Sequence, residues 1–232
     1  MASKVRQERH GMTAAETVKR FLVMLFGMFV TALGLAICVE ADLGISPLTT
    51  LAYTLHNVVP TISLGTFTFL QHLMFFALMV LVLRRDFRPY QLLQIPCSFL
   101  FGKFLDFWEY LLGNCAPSSY AACFILLMLG CVVVALGFSL IFTSRVPLEA
   151  NTAFLNAVSM RIQKPYGTLK LISDVIIVCI AAAVGLLFLH KIVGIREGTV
   201  IAALIIGPIA GFFNRYLAKM ERFFVSPAKN RK

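Results

Sequence analysis

From Phe21 to Val39 the chain carries no charged side chain, and the same is true from Ala121 to Thr143. A helix rises about 1.5 Å per residue, so a run of roughly twenty residues crosses the ~30 Å hydrocarbon core of a bilayer. Inside that core the backbone must satisfy its own hydrogen bonds, and apolar runs of this length do so as helices. Four more apolar segments follow the same pattern: Thr66–Leu83, Leu92–Leu112, Gly167–His190 and Gly198–Leu217. The expectation is an all-α, polytopic membrane protein with six transmembrane helices. Composition agrees, since 59% of the residues are hydrophobic and only 14% are charged, against about a quarter in soluble domains. The acidic Glu40-Ala41-Asp42 after the first run is a poor signal-peptide cleavage site, so that segment is read as retained.

The net charge of +10 does not read as a nucleic-acid surface, because the basic residues sit in loops and tails. Seventeen of the 21 Lys and Arg fall in alternate connections. These are Lys4, Arg6, Arg9, Lys19 and Arg20; then Arg84, Arg85 and Arg88; then Arg145, Arg161 and Lys164; then Arg215 and the five that follow it. Only Lys191 and Arg196 lie in the opposite connections. The bias puts both termini in the cytoplasm. The six cysteines show no C-x-x-C and no metal-ligand spacing, so they read as small buried hydrophobes and no cofactor is expected.

Between the first two spans lies Glu40–Thr66, too polar to cross and too patterned to be an idle loop. Ser46-Pro47 predicts a helix start with Ser as the cap and Pro at the first position. Leu48, Leu51, Ala52 and Leu55 then share one side, and Thr49, Tyr53 and His56 another. A second copy follows about a hundred residues later. Ala32-Leu33-Gly34 matches Ala135-Leu136-Gly137, the polar set Thr49, Tyr53 and His56 matches Thr152, Asn156 and Ser159, Gly65-Thr66 matches Gly167-Thr168, and Gly102 matches Gly207. Each half is then one span, a short helix and two more spans. Three crossings per half make an inverted repeat, as in many secondary transporters. The expected division is a tail at 1–20, repeats at 21–112 and 121–217, an outer connection at 113–120 and a basic cytoplasmic tail at 218–232.

The run ALGLAICVEADLGISPLTTL, then SLGT, a basic turn and SFLFGKFLDF, resembles the YczE/YyaS/YitT-type integral membrane proteins of bacteria. The similarity runs from about Val23 to Leu217, and its most specific part is A-D-L-G-I-S-P followed by L-G-T. It implies a multi-pass plasma-membrane protein with a suspected transport role, and it carries no site residues across.

Each short segment is too short to cross, so it re-enters the membrane or lies flat at the interface. A re-entrant half-helix would aim its N-terminal amides at the bilayer midplane. Ser46, Thr49, Tyr53, His56, Thr152, Asn156, Ser159 and Lys103 are the candidate substrate-binding residues. His72, Asp106 and Asp174 are candidates for ion or proton coupling, because ionisable groups within spans face cavities or partners. Lys103 can pair with Asp106, and Lys170 with Asp174 or with the inner headgroups; hydration at the outer end accounts for Glu109. Glu40, Asp42 and Glu149 stand at the mouths of the short segments. Gly207 and Gly211 form a Gly-x-x-x-Gly step, expected to pack within the monomer, with a homodimer seam as the other reading. No Walker, H-E-x-x-H or G-x-S-x-G motif is present, so enzymatic chemistry is not expected. The function expected is secondary transport of a small, anionic or zwitterionic solute, coupled to an ion or proton gradient, with the lipid bilayer and the solute as partners. Export of amphiphilic drugs, a non-transporting assembly role and a lipid-acting enzyme are the alternatives.

Overall fold

The computed structural model describes residues 14–87, 89–113, 119–144 and 150–224. Arg88, Cys115, Arg145, Glu149 and the terminal residues 1–13 and 225–232 lie outside the described residues. Eight α-helices are present among those described: α1 (Ala14–Glu40), α2 (Pro47–Val58), α3 (Leu64–Leu83), α4 (Gln94–Leu112), α5 (Tyr120–Ser144), α6 (Ala150–Ile162), α7 (Tyr166–Leu189) and α8 (Glu197–Phe224). The fold is all-helical, with no strand among the described residues. Five of the helices, α1, α3, α5, α7 and α8, are long and apolar enough to cross a membrane. Large apolar side chains cover the outside of the bundle: Leu171, Val175 and Leu187 on α7 and Val200, Leu204 and Phe212 on α8 are all more than half exposed. Water would not tolerate that surface and lipid does, so the chain is a multi-pass membrane protein. α4 is as long as a span, but Lys103, Asp106 and Glu109 make it too charged to count by composition alone.

The most extensive contact joins α1 to α5. Glycine makes it possible. A Cβ on Gly34 would lie 2.5 Å from the Val134 amide nitrogen and 2.9 Å from the Gly130 carbonyl oxygen. A Cβ on Gly137 would lie 2.6 Å from the Thr31 nitrogen and 2.9 Å from the Gly27 oxygen. The two helices therefore touch backbone to backbone. As the contacts advance along α1 they retreat along α5, so the pair is antiparallel; Arg20 Nη1 reaches the Ser144 carbonyl at 3.4 Å at one end.

The other helices are arranged around this pair. α4 packs on α1, where Trp108 Nε1 donates to the Phe29 carbonyl at 3.2 Å. α8 packs on α5, where Ser139 Oγ donates to the Ala210 carbonyl at 2.9 Å. α3 and α4 form an antiparallel hairpin with Gly65 against the Gly102 backbone and Phe69 edge-on to Phe99 at 5.5 Å. The matching helices α7 and α8 make no comparable contact: a Cβ on Gly167, Gly207 or Gly211 would meet nothing within 4 Å. That corrects the expectation that Gly207 and Gly211 pack within the monomer. They are exposed because α8 sits on α5 and leans away from α7.

The short helices lock the periphery to the centre. α2 packs on α7 and α3, and α6 packs on α3 and α7. Each therefore contacts the second long helix of the opposite half. No residue from Leu43 to Val58 is exposed. A helix floating at an interface would bare one face, so α2 lies inside the bundle. Its lead-in is held by Ile45 N–H to the Gly194 carbonyl at 3.2 Å and Gly198 N–H to the Leu43 carbonyl at 2.8 Å. Gly44 is left-handed, at φ 104°. In α6 only the first turns are deeply buried; Asn156, Met160 and Arg161 are exposed.

Candidate functional site: a cavity at the mouth of the first short helix

A cavity of about 60 Å³ opens where α2 begins. Its polar lining comes from four elements: Thr31 on α1, Ser46 and Thr49 at the start of α2, Thr68, Gln71 and His72 on α3, and Ser98 on α4. Its apolar lining is Met24, Met28 and Leu35 from α1, Leu48 from α2, Phe101 from α4, and Phe138 and Ile141 from α5. The cavity thus adjoins the α1–α5 crossing and touches both halves of the chain.

Ser46 stands at the cap position, with Pro47 next. Its carbonyl accepts from the Thr49 and Thr50 amides at 2.9 and 3.1 Å. Its hydroxyl makes no capping bond, contrary to the expectation that Ser46 caps the helix through its side chain. The backbone carbonyl has already taken the first amides, which leaves the hydroxyl facing the cavity. Gln71 is held at one end only. Its Nε2 donates to the Leu48 carbonyl at 2.6 Å, while Oε1 is buried without a hydrogen-bond partner. His72 is 7% exposed and stacks on Phe101 at 5.6 Å between ring centroids.

The remaining candidates are elsewhere. Tyr53 packs its ring on Gly194. His56 Nδ1 lies 2.7 Å from the Ile62 carbonyl and Nε2 lies 3.9 Å from Glu109, so it ties the end of α2 to α4. Glu109 accordingly has a protein neighbour besides solvent. Lys103 is half exposed and pairs with Asp106 at 3.3 Å, away from the cavity lining. Asp106 accepts from the Gly65 amide at 2.7 Å and from Ser63 Oγ at 2.9 Å. It therefore closes the start of α3 against α4, a carboxylate at a helix N-terminus. Ser63 in turn caps α3 by accepting from the Thr66 amide at 3.2 Å.

On α6, Thr152 is half-buried, Asn156 is exposed, and Ser159 donates to the Lys164 carbonyl at 2.6 Å. The polar stripe of α6 does not join that of α2 in the cavity. Asn151 is the deeper group there, 2% exposed with Oδ1 unpartnered. Asp174 is held by Lys170 on its own helix at 2.9 Å, so His72 and Asp174 are not brought together. Among the described residues no group of three or more His, Cys, Asp or Glu is placed to hold a metal.

The sequence matches the family of unknown function DUF6198 over residues 18–215. The chain belongs to that family. No curated protein and no solved structure matches it. The matched region of this DUF6198 member takes in every element that lines the cavity. The polar lining residues that sequence reasoning passed over are Thr31, Thr68, Gln71 and Ser98. All four are neutral polar side chains in apolar helices, and a search weighted towards ionisable groups does not reach them.

Proposed function

We propose that this protein is a secondary transporter that moves a small solute across the bacterial plasma membrane through the cavity at the start of α2. The observation that carries the reading is α2 itself. It is too short to cross, none of its residues is exposed, and its N-terminus opens on a mainly apolar cavity with a few polar side chains beside the central helix crossing. That is the geometry of a re-entrant half-helix, whose buried irregular backbone is stable only against protein or a wet cavity.

The proposal includes an inverted repeat of α1–α4 and α5–α8, with six crossings and both termini cytoplasmic. Exchange of the halves maps the Gly34–Gly130 contact onto Gly137–Gly27 and maps α2 on α7 onto α6 on α3. α4 counts as a crossing in this scheme because it runs antiparallel to α3, and its charges are paired or lie towards its outer end. The narrower kinship with YczE/YyaS/YitT-type proteins belongs to the same proposal and rests on the A-D-L-G-I-S-P and L-G-T steps.

The halves differ in a way that suits alternating access. Gly65 and Asp106 pin the α3–α4 hairpin, whereas the counterpart α7–α8 pair is splayed. Counting from the Gly102–Gly207 match, the counterpart of Asp106 is Gly211, so the second hairpin has no carboxylate pin. We assign the present arrangement to the state closed on the outer side. His72 is the one ionisable group among the described lining residues, and it takes the coupling role here; Asp174 and Asp106 are engaged elsewhere. Export of bulky amphiphilic drugs fits poorly with a cavity of about 60 Å³.

A substrate-free test uses Thr49→Cys in a cysteine-free background, in vesicles of known orientation, with a membrane-impermeant thiol reagent. Labelling from both sides, with the outer side slower, supports transport. Absence of labelling from either side, in protein that retains its helical circular dichroism, overturns it.

A further inference from the structure

We infer that the cavity takes a small uncharged solute that donates a hydrogen bond, accepts others and carries an apolar end. The inference deepens the transport reading, and so rests on it, but replaces the anionic or zwitterionic solute expected from the sequence.

The reason lies in what faces the cavity. Gln71 is 93% buried, because its exposure is 7%, and its amide has only one orientation. The Nε2–Leu48 carbonyl bond fixes the nitrogen end, since the reverse orientation would set two oxygens against each other. Oε1 is then an acceptor without a donor. A buried acceptor left unanswered is costly, and native interiors rarely keep one without a role. Oε1 lies behind the cavity wall, and a ligand N–H or O–H answers it once the Gln71 side chain shifts towards the cavity. A carboxylate cannot, because it has no proton to give.

The charge balance points the same way. Among the described lining residues there is no Lys, Arg, Asp or Glu. Lys103, the cation that would have favoured an anion, is turned outward and half exposed. With His72 neutral, neither ionic form of a solute finds a counter-charge there, and an unpaired ion away from water is strongly disfavoured. Hydroxyls are available instead. Ser46 is free of capping duty, and Ser98 and Thr49 line the same space. Each can donate or accept. Opposite them, Met24, Met28 and Phe138 offer an apolar wall.

Size follows from volume. One water needs about 10–15 Å³ of such space, so about 60 Å³ holds about four to six non-hydrogen atoms. Acetamide fits that description. Acetate and acetamidinium are its anionic and cationic isosteres, so shape is constant across the three and charge is not.

The experiment measures flux of each probe into proteoliposomes, above protein-free vesicles, and thermal stabilisation of the purified full chain by each. The expected result is acetamide flux and stabilisation at least about tenfold above both ions, with Gln71→Leu reducing both by about tenfold. Ser98→Ala, a milder change, should weaken the acetamide response by a few-fold and keep the preference for the neutral probe. Equal or greater flux of acetate or acetamidinium overturns the solute class and leaves transport standing. Stabilisation by acetamide without flux supports the site and removes transport. No response to any of the three in the folded wild-type chain overturns the proposal.

Discussion

Gly34→Ala and Gly137→Ala should damage the protein equally. The added methyl at position 34 would lie 2.5 Å from the Val134 nitrogen and 2.7 Å from its Cγ2. At position 137 it would lie 2.6 Å from the Thr31 nitrogen. Heavy atoms in ordinary contact stand about 3.5–4.0 Å apart, so α1 and α5 must separate by about 1 Å. A gap of that size forfeits about a quarter to a half of the attraction at each remaining contact along the crossing. Overpacking of this kind costs about 1–3 kcal/mol. The upper part of that range applies here, because backbone obstructs both sites and cannot rotate away. Reversible unfolding in mixed micelles should therefore show a loss of about 2–3 kcal/mol for each substitution, within about 1 kcal/mol of each other. The double variant should lose less than the sum, since one separation relieves both clashes. Gly207→Ala, where nothing lies within 4 Å, is the control and should be neutral or slightly stabilising, as alanine favours helix by about 1 kcal/mol. A neutral Gly137→Ala beside a damaging Gly34→Ala would refute the two-fold equivalence of the halves.

Other consequences are equally specific. Asp106→Asn gives up the charge at the start of α3 and sets an amide donor where Ser63 or Lys103 now donates. The carboxyl group is partly exposed, so the pin should weaken by only about 1–2 kcal/mol. Outer-side labelling of Thr49→Cys should then rise about five- to thirtyfold, and an unchanged rate in folded protein removes the pin. Gly44→Ala meets left-handed backbone as well as the Thr199 amide at 2.9 Å. It should lower the unfolding midpoint and release α2 to protease, whereas wild-type resistance would mean the lead-in does not anchor the helix.

The long helices were legible because apolar length is a strong signal in lipid. Thr66–Leu83 was expected against Leu64–Leu83 observed, and Ala121–Thr143 against Tyr120–Ser144. The last helix runs on to Phe224, since leaving the apolar core does not by itself end a helix. α2 and α6 were legible from the Ser-Pro start and the matched polar offsets. Burial on all sides was not, because α2 has a polar face that reads as wet. That face meets the cavity, Gly194 and Glu109, while Leu48 and Leu51 pack towards α3 and α7, and long-range packing leaves no mark in local periodicity. Ser46, Thr49 and His72 line the cavity, whereas Tyr53 and His56, grouped with Thr49 by helical spacing, do not. Lys103, Asp106 and Asp174 do not either, because nearby partners satisfy them first: Lys103 and Asp106 each other, and Asp174 Lys170. The splay of α7 from α8 was hidden for a related reason. Gly167, Gly207 and Gly211 look like packing glycines in sequence, and only the position of α8 on α5 shows them uncovered.

The central claim is that the two halves exchange open and closed arrangements around the cavity. Spin labels at Pro60 and Tyr110 report the outer hairpin, and labels at Thr168 and Phe212 report its counterpart. Pulsed electron paramagnetic resonance in lipid nanodiscs should give two distances for each pair. Asp106→Asn should shift the populations in opposite senses, the outer pair towards the longer distance and the inner pair towards the shorter. A single distance for both pairs, unmoved by Asp106→Asn, would contradict the account.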